Sequence, residues 1–164
     1  MKLRQMVGIL LLSGDEILMI KRSEKQKIAP GLWSNIGGHM EPEELNDPQA
    51  ACLRELQEET GYQADEITGL HLRYISMGEF NGELYIYYDY VAHTNVKHPL
   101  PACSEGQLAW VPVKNLHALK MPETLHQLLN HFQEHPEENH THIGTISENL
   151  TLWTPDRGTG PSSD

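Results

Sequence analysis

The chain has 164 residues, 38% apolar and 21% charged, with a formal net charge of −11. That balance suits one soluble globular domain with a real core and excludes a disordered chain. It also argues against a nucleic-acid duplex or an anionic membrane as main partner, since both need a basic surface. A small phosphate-bearing substrate stays compatible if divalent cations bridge carboxylate to phosphate.

Residues 6–12 and 17–20 are apolar and branched around Ser13-Gly14-Asp15, and predict a β-hairpin. The leading apolar segment is too short to span a membrane and no small-residue cleavage site follows it, so the protein reads as cytoplasmic. Residues 21–31 form a polar loop punctuated by Pro30-Gly31, and 32–36 a short strand ending at Gly37-Gly38. A helix is expected from Asp47 as N-cap, with Pro48 at its first position, to a C-terminal glycine at Gly61. Residues 67–77 and 83–93 predict two long strands joined through 78–82, and 108–113 a short one. Leu125, Leu128, Leu129 and Phe132 share one face of a helix over 122–134. After Pro136 the composition turns polar, so 1–136 reads as one domain and 137–164 as a partly disordered extension. Within that extension ISENLTLWT suggests one added strand, and the closing DRGTGPSSD disorder. Cys52 and Cys103 fit no metal spacing and are expected as reduced thiols. This order of elements predicts a mixed sheet with helices on its faces, an α/β or α+β sandwich.

The chemistry concentrates in GGHMEPEELNDPQAACLRELQEETGY. On a helix Glu55, Glu58 and Glu59 share a face, while Leu53, Leu56 and Thr60 lie on another and can be buried. Three close carboxylates repel unless something neutralises them, and an all-oxygen set suits Mg²⁺ or Mn²⁺. Arg54 can pair with these carboxylates and hold their rotamers. The competing view of the acids is a solvated helix face. Gly37-Gly38 lets the backbone turn sharply and offers a carbonyl as a further hard ligand.

With Gly38, Glu44 and then Arg54-Glu55-Leu56-Gln57-Glu58-Glu59-Thr60-Gly61-Tyr62 in order, this stretch resembles the signature of the Nudix hydrolases, of the MutT-like kind. Two departures are visible. Nine residues instead of seven separate Glu44 from Arg54, best placed as Leu45-Asn46 inserted before the helix cap, and Tyr62 stands where the family has an aliphatic residue. An alternative alignment exchanges Glu43 for Glu44. The resemblance implies an α/β/α sandwich and metal-dependent hydrolysis of a nucleoside diphosphate linked to another group. It implies Glu55, Glu58, Glu59 and the Gly37 carbonyl as ligands of Mg²⁺ (or Mn²⁺), Arg54 as the residue orienting them, and Glu44 as support. Glu58 and Glu105 are both candidates for the general base, Glu105 also reading as a turn residue. Arg22 is placed to meet a phosphate.

LWSNIGG resembles a stretch of oxidised-purine nucleotide hydrolases, with Trp33 matching but Asn35 one residue late. One residue reverses the face of a strand, so base reading by Asn35 does not transfer directly. Trp33 is either a stacking platform or a core aromatic, and Tyr85, Tyr87 and Tyr88 either line a base pocket or cover the sheet. His126, His131, His140 and His142 are expected as solvated side chains. The leading expectation is cleavage of a nucleoside triphosphate, including an oxidised purine triphosphate, to monophosphate and pyrophosphate, by a monomer or homodimer. The alternatives are hydrolysis of ADP-ribose or a nucleotide sugar, and a nucleotide-binding module without catalysis, whose mark would be loss of the helix carboxylates.

Overall fold

Two strands of the first hairpin are apolar on both faces. In β1 (Lys2–Ser13) and β2 (Glu16–Arg22), Val7, Ile9, Leu11, Leu18 and Ile20 enter one core, and Leu10, Leu12, Ile17 and Met19 enter another. Strands buried on both sides must be covered on both sides, which dictates three layers. α1 (Pro48–Thr60) closes the first core with Ala51, Cys52 and Leu56. α2 (Glu123–Glu134) closes the second with Leu128, Leu129 and Phe132. The computed structural model describes residues 1–153; the expected disorder of DRGTGPSSD lies outside them.

The other strands are β3 (Trp33–Ser34), β4 (Ile36–His39), β5 (Thr68–Phe80), β6 (Glu83–His93), β7 (Gly106–Pro112), β8 (His142–Ile146) and β9 (Leu150–Trp153). They form one sheet in the order β3-β2-β1-β6-β5-β8-β9, with β4 also pairing β1 and β7 also pairing β2. β1 runs parallel to β6 from Lys2↔Glu83 to Leu12↔His93, while most other pairs are antiparallel. The fold is therefore the expected α/β sandwich around a mixed sheet.

The first helix starts and stops where its caps require. Asp47 accepts the Ala50 N–H at 3.0 Å, and Gly61 adopts φ 80 while donating its N–H to the Gln57 carbonyl. Three expectations change. The strand over 32–36 is interrupted at Asn35, because the chain leaves β2 there and joins β1. The turn after β5 shrinks to Asn81-Gly82, both at positive φ. The C-terminal segment forms two strands, not one. β8 lies parallel to β5, β9 folds back on β8, and both extend the same sheet. Cys52 and Cys103 are free thiols. Among the described residues no helix is long and apolar enough to cross a membrane.

Candidate active site

β4 lays its glycine pair against β1, Gly37 opposite Gly8 and Gly38 opposite Val7. Gly37 has φ 147, and a Cβ there would run into the Val7 carbonyl. A Cβ on Gly38 would stand 2.6 Å from Glu55 Oε1. Only a strand bare of side chains lets the α1 carboxylates approach this closely. The Gly37 N–H donates to Glu59 Oε2 at 3.1 Å.

Arg54 organises the rest of the acids. Its Nε and Nη2 donate as a fork to Glu44 Oε1 and Oε2 at 2.7 and 2.9 Å. Nη1 donates to Glu55 Oε1 at 2.9 Å and Glu58 Oε2 at 3.1 Å, and Nη2 also reaches the His39 carbonyl at 3.0 Å. Glu44, not Glu43, meets the arginine. The Pro42–Glu44 turn of 3-10 helix explains how: the Glu41 N–H donates to Glu44 Oε2, and the Asp47 N–H to the Glu44 carbonyl. The two extra residues, Leu45 and Asn46, are taken up in that turn and leave Glu44 in place.

Burial sets the electrostatics of this face. Glu59 is 6% exposed. Burial pushes its carboxyl up to about 8, the Gly37 N–H opposing and the charges of Glu105 and Glu55 adding. Glu55 is also raised, chiefly by burial, with Arg54 opposing. Glu44 is lowered by its bond to Arg54. Glu58 is the outlying member, with its side chain 59% exposed. Two crowded, desolvated carboxyls that resist ionising, on a donor set made only of oxygen, fit a hard divalent cation such as Mg²⁺.

Arg54→Ala removes one cation from three carboxylates at once. It is expected to lower stability by about 1–3 kcal/mol in urea unfolding. Turnover is expected to fall roughly tenfold to a hundredfold.

Beside the glycines opens a cavity of about 450 Å³. On its floor Asn35 Nδ2 donates to Asp89 Oδ1 at 2.9 Å. Gly8 lies between them, and a Cβ there would strike both Asn35 Nδ2 and Asp89 Oδ1. Burial pushes the Asp89 carboxyl up to about 6, the Asn35 bond opposing. Tyr85 and Tyr87 form one wall, their rings stacked at 6.1 Å and 14°. Leu125 and Leu128 of α2 with Leu150 of β9 belong to the lining as well, as do Arg22, Gly37 and Gly38.

Residues 2–132 match the NUDIX domain family. The chain belongs to the Nudix hydrolase family. Among its relatives is the m7GpppN-mRNA hydrolase NUDT17 of Bos taurus, 46% identical over 59 residues that are 35% of this chain and 18% of that protein. The fold resembles a mutator MutT protein from Bacillus halodurans, with TM-score 0.69, 20% identity and coverage of 93% of this chain and 92% of that one. It also resembles a MutT protein from Methanosarcina mazei Go1, with TM-score 0.70, 19% identity and coverage of 84% and 97%.

In this Nudix chain most of the expected site residues come together. Glu44, Arg54, Glu55, Glu58, Glu59, Gly37 and Gly38 share the α1–β4 face. Arg22 and Glu105 meet beside it, Nη1 to Oε2 at 3.8 Å, because Arg22 sits opposite Gly106 in the β2–β7 ladder. Asn35 faces the cavity. Trp33 does not: it is half-buried against the core that α2 closes and is not among the residues lining the cavity. Tyr88 also turns away, its hydroxyl donating to Gln5 Oε1, since it alternates with Tyr85 and Tyr87 along β6. Asp89 was missed. Its signal was a lone carboxylate within LYIYYDYVA, a run that otherwise suits a buried strand.

The expectation of solvated histidines fails at His142, which is 3% exposed and bonded to Glu138. β8 begins at this residue and places it opposite Tyr74 of β5, inside the sheet instead of in a tail.

Proposed function

We propose that this chain hydrolyses a nucleoside triphosphate to monophosphate and pyrophosphate, holding the base in the 450 Å³ cavity beside the acidic face. The observation that carries this reading is the Asn35–Asp89 pair on the cavity floor. A half-buried amide beside a buried carboxyl offers a donor and an acceptor to the edge of a planar base, and Tyr85 offers an aromatic wall.

The phosphates then run from the cavity over Gly37 and Gly38 toward α1. Glu55, Glu58 and Glu59 with the Gly37 carbonyl would hold Mg²⁺ or Mn²⁺. When bound, that ion neutralises phosphate charge and makes water a better nucleophile. Arg22 meets a phosphate oxygen at the cavity mouth. Arg54 fixes the rotamers of Glu55 and Glu58 and itself rests on Glu44. Glu105 is the better placed general base, because Glu58 is engaged by Arg54 at 3.1 Å while the ion pair of Glu105 is longer, at 3.8 Å. The protein acts as a soluble cytoplasmic enzyme on a small nucleotide, as monomer or homodimer, with the acidic face inside residues 1–136 and β8 and β9 completing the cavity wall.

A substrate panel with Mg²⁺ tests this reading: nucleoside triphosphates, oxidised purine triphosphates, ADP-ribose, a nucleotide sugar and an m7G cap dinucleotide. Pyrophosphate released from a triphosphate at the highest kcat/KM is the expected result. Preferred release of two monophosphates from ADP-ribose, or preferred cleavage of the cap, would replace it. Binding without turnover of any of them would make the chain a nucleotide sensor.

A further inference from the structure

On the far side of the sheet from the acidic face of α1, four histidines surround one carboxylate. α2 contributes His131 and, at its C-cap, His135; the following loop contributes Glu138 and His140; β8 opens with His142. The His131 and His142 ring centroids are 4.5 Å apart, His140 and His142 4.7 Å, and His131 and His135 4.7 Å. Donor atoms of His131, Glu138 and His142 all lie within 4.8 Å of one another. Among the described residues this is the one trio of metal-ligating side chains gathered so closely; Glu55, Glu58 and Glu59 are splayed between Arg54 and the Gly37 amide.

We propose that His131, Glu138 and His142, with His140 as the fourth donor, form a Zn²⁺-type transition-metal site that clamps the C-terminal hairpin to α2. Imidazole nitrogens with one carboxylate suit zinc better than Mg²⁺. The surroundings resemble those of a ligand set. Tyr74, fully buried, lies with its hydroxyl 3.0 Å from His131 Nδ1. Such a partner on one ring nitrogen presents the other, Nε2, to a metal. His140 Nε2 is buried without a hydrogen-bond partner, 3.6 Å from Glu138 Oε2. Arg73, itself fully buried, pins the loop by donating to the His135 and Glu138 carbonyls and to Glu138 Oε2. That guanidinium adds positive charge beside the cluster, so the affinity is below that of a thiolate site. Metal entry replaces the 2.7 Å His142 Nε2–Glu138 Oε2 hydrogen bond, and its proton leaves to solvent.

The clamp has a route to the nucleotide cavity. β8 ends at Ile146 and β9 begins at Leu150, and both line that cavity together with Leu125 and Leu128 of α2. The far end of the hairpin is already tied to α2 through Gln127, which bonds Asn149 and the Leu150 N–H.

The test uses the full chain stripped with chelator, given ZnCl₂ or MgCl₂, desalted and assayed for bound metal. About one zinc per chain, a rise in Tm with zinc but not with magnesium, and d–d absorption of the Co²⁺ form are expected. Glu138→Gln and His131→Ala are expected to weaken zinc binding at least tenfold while circular dichroism stays native, and Glu59→Gln to leave it unchanged. Less than a tenth of an equivalent of zinc on the wild-type chain would overturn the proposal. So would zinc binding lost in Glu59→Gln but kept in Glu138→Gln, which would place it on the acidic face of α1.

Discussion

Glu59→Gln is expected to reduce Mg²⁺-dependent turnover roughly a thousandfold and, at the same time, to make the metal-free protein more stable at alkaline pH. The two effects have one cause. Glu59 is buried, and burial lifts its carboxyl from 4.5 to about 8. The folded chain therefore binds this proton more tightly than the unfolded chain does. Stability of the metal-free protein falls as pH rises between 4.5 and about 8, and above that the fold carries the whole penalty, on the order of a few kcal/mol. Glutamine has no charge to desolvate, yet its Oε1 can still accept the Gly37 N–H. In chelator the variant should melt above wild type at pH 8.5 and level with it at pH 4. Excess Mg²⁺ should then reverse the order at pH 8.5, since an ion held by the Glu59 carboxylate would stabilise wild type more than the variant. Wild-type turnover in the variant with Mg²⁺ present would remove Glu59 from the acidic metal face.

Helix α1 and the first hairpin were legible because local chemistry decides them. An Asp-Pro start, a left-handed glycine stop and apolar runs about a glycine turn act over a few residues. So was the acidic face, since one turn of helix makes neighbours of Glu55, Glu58 and Glu59. Glu44 needed the structure: whether the insertion displaced it depended on a 3-10 turn that no spacing rule anticipates. The cavity floor was beyond reach for a different reason. Asn35 and Asp89 are 54 residues apart, and they meet because β1 pairs with β4 along one edge and with β6 along the other, with Gly8 bare between them. The histidines misled because polar composition near a terminus suggests solvent, whereas β8 docks parallel to β5 through a non-local pairing.

Asp89→Asn separates base reading from folding. Burial raises Asp89 from 3.8 to about 6, so its ionisation weakens the fold across that window, by about 3 kcal/mol once complete. Asparagine can still accept the Asn35 Nδ2–H without a buried charge, and the free variant should melt several degrees above wild type at pH 8 and level with it at pH 3. Its catalysis should suffer in spite of that gain. Above pH 6 Asp89 accepts hydrogen bonds; below, it donates one. A base held by it should show KM changing through about pH 6, with kcat little affected, because a floor that held the base would touch no reacting atom. In Asp89→Asn that break should vanish and kcat/KM for the best triphosphate fall by about tenfold to a hundredfold. The loss should be smaller for a base whose edge suits an amide, so the ranking of bases should change. A variant that keeps the wild-type ranking and pH profile would place the base outside this cavity. The stability measurement then still reports on the buried charge alone, since it is made on the protein without nucleotide.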